Sequence, residues 1–190
     1  MESITFVTGN KNKAAEVEKI LEGMEVVALD VDLGPEVQEM SVEEVSIMKC
    51  RAAMAHPDVT GPIIVEDTGL CFHAIGNLPG PFIKFFLKKL HHEGLNNMLM
   101  AYEDKSAHAE CVLCFNNGVD EEIYTFVGQC QGKIVPARGP HAFGWDPIFE
   151  PVQQEAEEAQ TYAEMSAEYK NSISHRGQAV LKFADFLKEW

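Results

Sequence analysis

The stretch Val65-Glu66-Asp67-Thr68-Gly69-Leu70 constrains this chain more than any other. Gly61-Pro62-Ile63-Ile64 leads into it, and Val65 completes the apolar run of a short buried strand. Two carboxylates, a hydroxyl and a glycine follow at once, and Leu70-Cys71-Phe72 beyond them can continue as a strand. A buried strand that delivers Glu66 and Asp67 to its C-terminal tip is how an α/β protein presents a metal ligand or a general base at its functional edge. Asp-Thr-Gly is equally good turn chemistry, so the stretch alone leaves an ordinary turn open. Adjacent strand residues also face opposite ways, which separates Glu66 from Asp67.

The flanking sequence reads as α/β. Ser3-Ile4-Thr5-Phe6-Val7 is strand-like, and Ala14, Val17, Ile20 and Leu21 recur at helical spacing up to Gly23. Thr8-Gly9-Asn10-Lys11-Asn12-Lys13 joins the two. A strand, a glycine-containing turn and a helix N-terminus make an anion site from free backbone N–H groups and the positive dipole end, and Lys11 and Lys13 add charge. A solvated loop is the plainer alternative. The turn matches neither the P-loop nor the GxGxxG template.

Val26 to Leu29 predicts a second strand, Asp30 to Glu39 an acidic loop, and Ser41-Val42-Glu43-Glu44 a capping box opening a helix to about Ala55. That helix carries Lys49 and Arg51. Pro81 suits the first position of a helix whose apolar face is Phe82, Phe85, Phe86, Leu87 and Leu90, with Lys84 off it. A separate short helix is expected from Leu95 to Tyr102. His91-His92 has no further ligand at useful spacing and reads as solvated. Ser106 to Phe115 alternates, Asn116-Asn117-Gly118 marks a hairpin, and Glu122 to Cys130 returns, so the sheet is expected to be mixed. Helical sequence starts at Ser166 or a nearby residue, and Ala179, Val180, Phe183, Phe186 and Leu187 form the apolar face of a C-terminal helix, with Lys170, His175 and Arg176 just before it. No repeat or linker interrupts this pattern, so residues 1–190 read as one domain.

A net charge of −15 excludes a general nucleic-acid binder, because such binding is driven by lysine and arginine neutralising phosphates. Any bound anion needs a local cationic exception. No run approaches the ~20 apolar residues of a membrane span, and no signal peptide is visible, so a cytoplasmic protein with no membrane partner is expected. The five cysteines, an odd number, point to free thiols. Cys111 and Cys114 lie three apart on an alternating strand and face opposite ways, which speaks against a metal or redox pair.

Five motifs in order resemble one family. Phe6-Val7-Thr8-Gly9-Asn10, Val65 to Leu70, Gly80-Pro81-Phe82-Ile83-Lys84, Phe143-Gly144-Trp145-Asp146-Pro147 and Ser174-His175-Arg176 are arranged as in the inosine triphosphate pyrophosphatases, which hydrolyse non-standard purine nucleoside triphosphates. Glu103 to Ala107 and Tyr162-Ala163-Glu164-Met165 resemble the eukaryotic branch. The resemblance implies an elongated α/β fold, a mixed sheet flanked by helices in two lobes with a substrate cleft between them. It implies Mg2+ dependence, with Mn2+ as a substitute, and a homodimer. Carried over by motif, Thr8, Gly9, Asn10, Lys11, Asn12 and Lys13 match the phosphate-binding loop, and Lys49 and Lys84 match lysines on the triphosphate. Glu36 matches the first metal carboxylate, with Glu39 and Asp32 on the same loop as alternatives. Asp67 matches the second metal ligand and the base, with Glu66 beside it and Thr68 next on the substrate side. Phe143, Gly144, Trp145 and Asp146 match the nucleoside segment, and Lys170, His175 and Arg176 the base-reading end.

The implied reaction is attack of water on the α-phosphorus of ITP, dITP or XTP, releasing the monophosphate and pyrophosphate. The residues suit it. Mg2+ is typically held by one or two carboxylates plus substrate phosphates, and lysines clamp a triphosphate electrostatically. Arg176 only donates, so it suits the 6-keto group of hypoxanthine or xanthine and rejects the amino group of adenine. Guanine shares the keto group, so this argument does not separate it. Phe143 or Trp145 would stack on the purine, or simply pack in the core. A non-catalytic nucleotide-binding module and another metal-dependent phosphohydrolase are the alternative functions.

Overall fold

The computed structural model describes residues 3–35, 37–140, 143–155 and 158–190. Glu36, the expected first metal carboxylate, lies outside the described residues. β1 (Ser3–Val7), α1 (Lys11–Ile20), β2 (Glu25–Leu29) and α2 (Val42–Met54) lead to β3 (Ile63–Phe72). β4 (Leu78–Gly80), α3 (Ile83–Asn97), β5 (Ser106–Asn116), β6 (Tyr124–Ile134) and β7 (Phe149–Pro151) follow, then α4 (Ala167–Ile173) and α5 (His175–Glu189). The described residues form a seven-stranded sheet in the order β2-β1-β3-β5-β6-β7, with β4 on β3. β1 runs parallel to β2 and β3, while β5, β6 and β7 are antiparallel, so the sheet is mixed and flanked by helices.

Alternation along the strands decides which helix covers which side. Cys111, Leu113 and Phe115 of β5 join Ile4, Phe6 and Ile64 under α1 and α5, whose Val17, Val180 and Phe183 are buried there. Val112 and Cys114 point the other way, with Ile63 and Val65, toward Val42, Cys50 and Ala53 of α2. Ser46 ties α2 to the sheet by donating to the Val112 carbonyl at 2.9 Å. A further cluster lies toward the far end of β3, where Leu70 and Phe72 meet Ile83 and Leu95 of α3 together with Trp145, Phe149 and Tyr162.

Three expectations need correction. β3 does not end on its carboxylates. Ten registered pairs with β5 carry it through Glu66, Asp67, Thr68 and Gly69 to Phe72, because Leu70-Cys71-Phe72 supplies another buried apolar run. The two helices expected here meet at a kink at His91 and are spanned together by α3, but the second ends at Asn97 rather than Tyr102, and Phe85 and Leu90 of the expected apolar face are exposed. Helical sequence does begin at Ser166, which caps α4, but a second cap divides it: Ser174 accepts from the Gly177 N–H, so His175 and Arg176 form the first turn of α5 rather than preceding it, and Lys170 belongs to α4.

The long β3 opens the sheet. On one edge it pairs with β1 only at Ile63 and Ile64, and with β4 only from Leu70 onward. Residues 65–69 have no described strand on that edge. A crevice where a strand loses its neighbour is the usual ligand position in open α/β sheets.

Candidate active site

A cleft of about 940 Å³ occupies this gap. Its floor is set by burial along β3, in which Asp67 and Thr68 are the only residues not fully buried. One wall is the turn from β1 into α1. Asn10 caps α1, its Oδ1 accepting from the Asn12 and Lys13 amides at 3.1 and 3.2 Å. The cap therefore uses amides expected to be free. What the turn offers an anion is chiefly the positive end of the helix dipole and the charges of Lys11 and Lys13.

α2 supplies Lys49, whose Nζ donates to Asp67 Oδ1 at 3.0 Å and to the Glu66 carbonyl at 2.8 Å. The second bond satisfies a backbone oxygen on the open edge of β3. Asp67 Oδ2 has no side-chain partner among the described residues. From the opposite side α3 brings Lys84, Ile83 and Leu87 to the cleft.

Glu66 points the other way, as strand parity requires. It is buried and fully engaged: Arg176 donates through Nε and Nη2 to its two oxygens at 2.8 and 3.0 Å, and Lys13 Nζ lies 2.8 Å from Oε1. Cys111 Sγ donates to Oε2 at 3.0 Å. Burial alone would raise the Glu66 pKa, but the Arg176 and Lys13 charges and hydrogen bonds outweigh it and hold the carboxyl well below the usual range. Arg176 also donates through Nη1 to Glu16, and Glu16 accepts from Lys170 at 2.7 Å. Lys170 reaches Asp146 at 2.6 Å. The result is an alternating chain, Lys13–Glu66–Arg176–Glu16–Lys170–Asp146, running from the β1–α1 turn to the segment at residues 143–146. Burial raises the pKa of Asp146, with Lys170 opposing it.

Phe143 lies under the end of this chain, with Lys170 Nζ 4.7 Å and the Arg176 guanidinium carbon 5.7 Å from its ring centre. Trp145 is largely core, edge-on to Phe149 at 5.6 Å. That division leaves Phe143 as the half-buried aromatic face. His175 is 2 % exposed, and neither ring nitrogen has a hydrogen-bond partner among the described residues. Burial first, then the neighbouring Arg176 and Lys170 charges, pushes its pKa well down, so the imidazole is neutral.

Two glycines allow α5 to deliver these groups. A Cβ on Gly128 of β6 would lie 1.9 Å from the His175 carbonyl, and one on Gly177 would lie 1.8 Å from the Asn171 carbonyl. A side chain at Gly128 would push the start of α5 off the sheet, and one at Gly177 would push it off the end of α4; either would move Arg176.

The cleft wall thus gathers Thr8, Gly9, Asn10, Lys11, Asn12, Lys13, Lys49, Asp67, Thr68, Lys84, Phe143, Gly144, Trp145, Asp146, His175 and Arg176. Glu66 and Lys170 are not in the wall and stand behind it. Glu16 was not singled out from sequence. Its signal was its place one turn after Lys13 on a helix carrying an anion site, but its partners lie more than 150 residues away. No group of three or more His, Cys, Asp or Glu side chains suited to a metal occurs among the described residues. The five cysteines are free and buried, and Cys111 and Cys114 belong to opposite sides of the sheet.

Comparison with known proteins matches this chain over residues 4–186 to the sequence model of the Ham1 family. A protein of Fusarium vanettenii named inosine triphosphate pyrophosphatase is 50% identical over 187 residues, covering 98% of this chain and 96% of the relative. One of the same name from Podospora anserina is 52% identical over 188 residues, covering 98% and 93%. Among solved structures, a HAM1 protein from Coxiella burnetii superposes with a TM-score of 0.81 at 28% identity over the whole of both chains. A nucleoside-triphosphatase described as a dITP/XTP pyrophosphatase, from Mycobacterium abscessus, gives 0.69 at 27% identity, covering 95% of this chain and 98% of the other.

Proposed function

This chain belongs to the Ham1 family, and from that premise we propose that it hydrolyses ITP, dITP and XTP to the nucleoside monophosphate and pyrophosphate. The observation that carries the reading is the union, in one cleft, of a lysine-flanked helix N-terminus, an Asp67 carboxylate held by Lys49, and an aromatic ring backed by cations. The volume suits a nucleotide, since small-molecule sites run from about 300 to 1,000 Å³.

Lys11, Lys13, Lys49 and Lys84 take the triphosphate and balance its charge along the reaction, the main lever in phosphoryl transfer. Asp67 orients the attacking water and accepts its proton through Oδ2, while Lys49 fixes Oδ1. Mg2+, or Mn2+ in its place, suits Asp67 and Glu36, because such ions need only one or two protein carboxylates when substrate phosphates complete the shell, and the ion would supply charge neutralisation there. Glu66 acts by holding Arg176 and Lys13 rather than by touching the reacting atoms. Phe143 stacks on the purine. Arg176 has three N–H donors occupied by Glu66 and Glu16, and a guanidinium carries five, so two remain for a keto oxygen. A homodimer is part of the proposal, supported by exposed apolar side chains such as Leu78, Phe85 and Leu90. So is a cytoplasmic location; no helix among the described residues is long and apolar enough to cross a membrane.

Pyrophosphate release with Mg2+ on ITP, XTP, GTP and ATP tests the reading. Fast release from ITP and XTP and slow release from ATP is expected. Equal rates on all four would remove the selectivity argument, orthophosphate as product would indicate a different phosphohydrolase, and no turnover a binding module.

A further inference from the structure

α3 contains an interruption that the cleft chemistry above does not use. His91 has φ 56° and ψ −175° inside the helix. That region is close to one adopted almost only by glycine, and a residue with a side chain is held there by the surrounding structure. The surroundings are specific. The next residue, His92, places Nε2 2.8 Å from the Gly144 carbonyl oxygen, and a carbonyl only accepts, so the imidazole donates. The amide of Asn96, four residues on, donates to the His92 carbonyl at 3.1 Å and to the Val135 carbonyl at 3.0 Å. Val135 ends the strand side of the connection that returns to the sheet at Phe149, and its N–H donates to the Ile148 carbonyl at 3.0 Å. His92 and Asn96 therefore grip Gly144 and Val135, which bracket residues 136–143. Gly144 itself has φ 49° and open space where a side chain would be. Among the described residues, its carbonyl bond to His92 ties it to α3.

We propose that His92, supported by Asn96, is a positioning residue for nucleoside recognition. It fixes the height of Phe143 and Gly144 over the cleft relative to Lys84, which lines the same cleft from the first half of the same helix. The interruption at His91 is what turns His92 from the solvent side toward Gly144. This inference rests on the reading of Phe143 to Asp146 as the nucleoside segment, and it adds a residue that the motifs did not contain.

Binding of two probes by calorimetry tests it without turnover. IMP reports the nucleoside end; inorganic tripolyphosphate reports the phosphate end alone. His92→Ala is expected to weaken IMP by about 2- to 13-fold, the loss of one net hydrogen bond, and to leave tripolyphosphate unchanged. His92→Gln, which keeps an N–H donor on a flexible stem, should recover most of the IMP affinity. Unchanged IMP binding in His92→Ala overturns the proposal. So does equal weakening of both probes, or failure of glutamine to rescue, since a general structural role predicts those results. Wild-type protein that binds tripolyphosphate but not IMP would sink the nucleoside reading and this inference with it; IMP binding indifferent to His92 sinks this inference alone.

Discussion

Replacing Glu66 with glutamine separates a structural carboxylate from a catalytic one. In the folded protein Glu66 accepts two hydrogen bonds from Arg176, pairs with Lys13 and takes the Cys111 thiol. Glu66→Gln keeps the shape but removes the charge and turns an amide N–H toward guanidinium donors. Breaking a buried pair by neutralising one partner costs about 3–5 kcal/mol, because the other charge stays buried. Arg176 keeps Glu16, and Lys13 can reach solvent, so the lower end of that range applies. For a domain of this size each kcal/mol moves Tm by about 2–4 °C, so the lower end, about 3 kcal/mol, gives a fall of about 6–12 °C. Urea unfolding at pH 7 should show the same loss. The sign with pH follows from the direction of the Glu66 shift. Its folded pKa is depressed, so its contribution is present above the unfolded value of about 4.3 and is lost as pH falls through the folded value. The gap between wild type and Glu66→Gln should hold from pH 8 to about 5 and close at lower pH. A variant that keeps its Tm within a degree or so yet loses turnover about a hundredfold would refute the reasoning and return Glu66 to the chemistry.

Asp67→Asn should leave Tm close to wild type and reduce pyrophosphate release by about 10² or more, since it removes the proton acceptor but keeps the Lys49 contact through the amide oxygen; an active Asp67→Asn enzyme would take Asp67 out of the mechanism. His175 is buried neutral with a depressed pKa, so the unfolded chain binds a proton below about pH 6.5 that the folded protein does not. Urea midpoints should therefore fall as pH drops from 7 toward 5, and the slope should be shallower in His175→Phe; an identical slope in the variant would place the linked proton elsewhere.

How much of this was legible in the sequence depends on the range of each interaction. The strand–turn–helix geometry of residues 3–20 was readable because its parts are consecutive: β1, the Asn10 cap and α1 need no distant partner. The alternation of Ala107 to Phe115 gave the faces of β5 for the same reason. The end of β3 was misread because Asp-Thr-Gly is turn-like locally, while ten rungs of pairing with β5 override it. Glu16 looked like one more polar residue between the buried Ala14 and Val17, since nothing local announces Lys170 and Arg176. His91-His92 read as solvated because a helical interruption is not written in residue type when glycine is absent. Gly128 and Gly177 carry no motif, and only the approach of α5 reveals what they permit.

The charge pattern explains how so acidic a chain can hold a cationic cleft ready for an anion. Lys13, Lys49, Lys170 and Arg176 each have an internal carboxylate: Glu66, Asp67, Asp146 and Glu16. Unpaired, four cations around one cleft would repel each other and lower the stability of the ligand-free fold. Paired, they sit in fixed geometry before any substrate arrives, so little reorganisation remains to be done during reaction. The partners differ in burial, and that difference divides the labour. Arg176 and Lys170 are almost wholly enclosed, so they stay paired beside the Phe143 ring. Lys13 and Lys49 keep 15% and 27% side-chain exposure, so they have more freedom to shift toward an anion in the cleft, with Glu66 still held by Arg176. The chain that begins at Lys13 and ends at Asp146 is therefore most rigid around Arg176 and Lys170 and most yielding at Lys13.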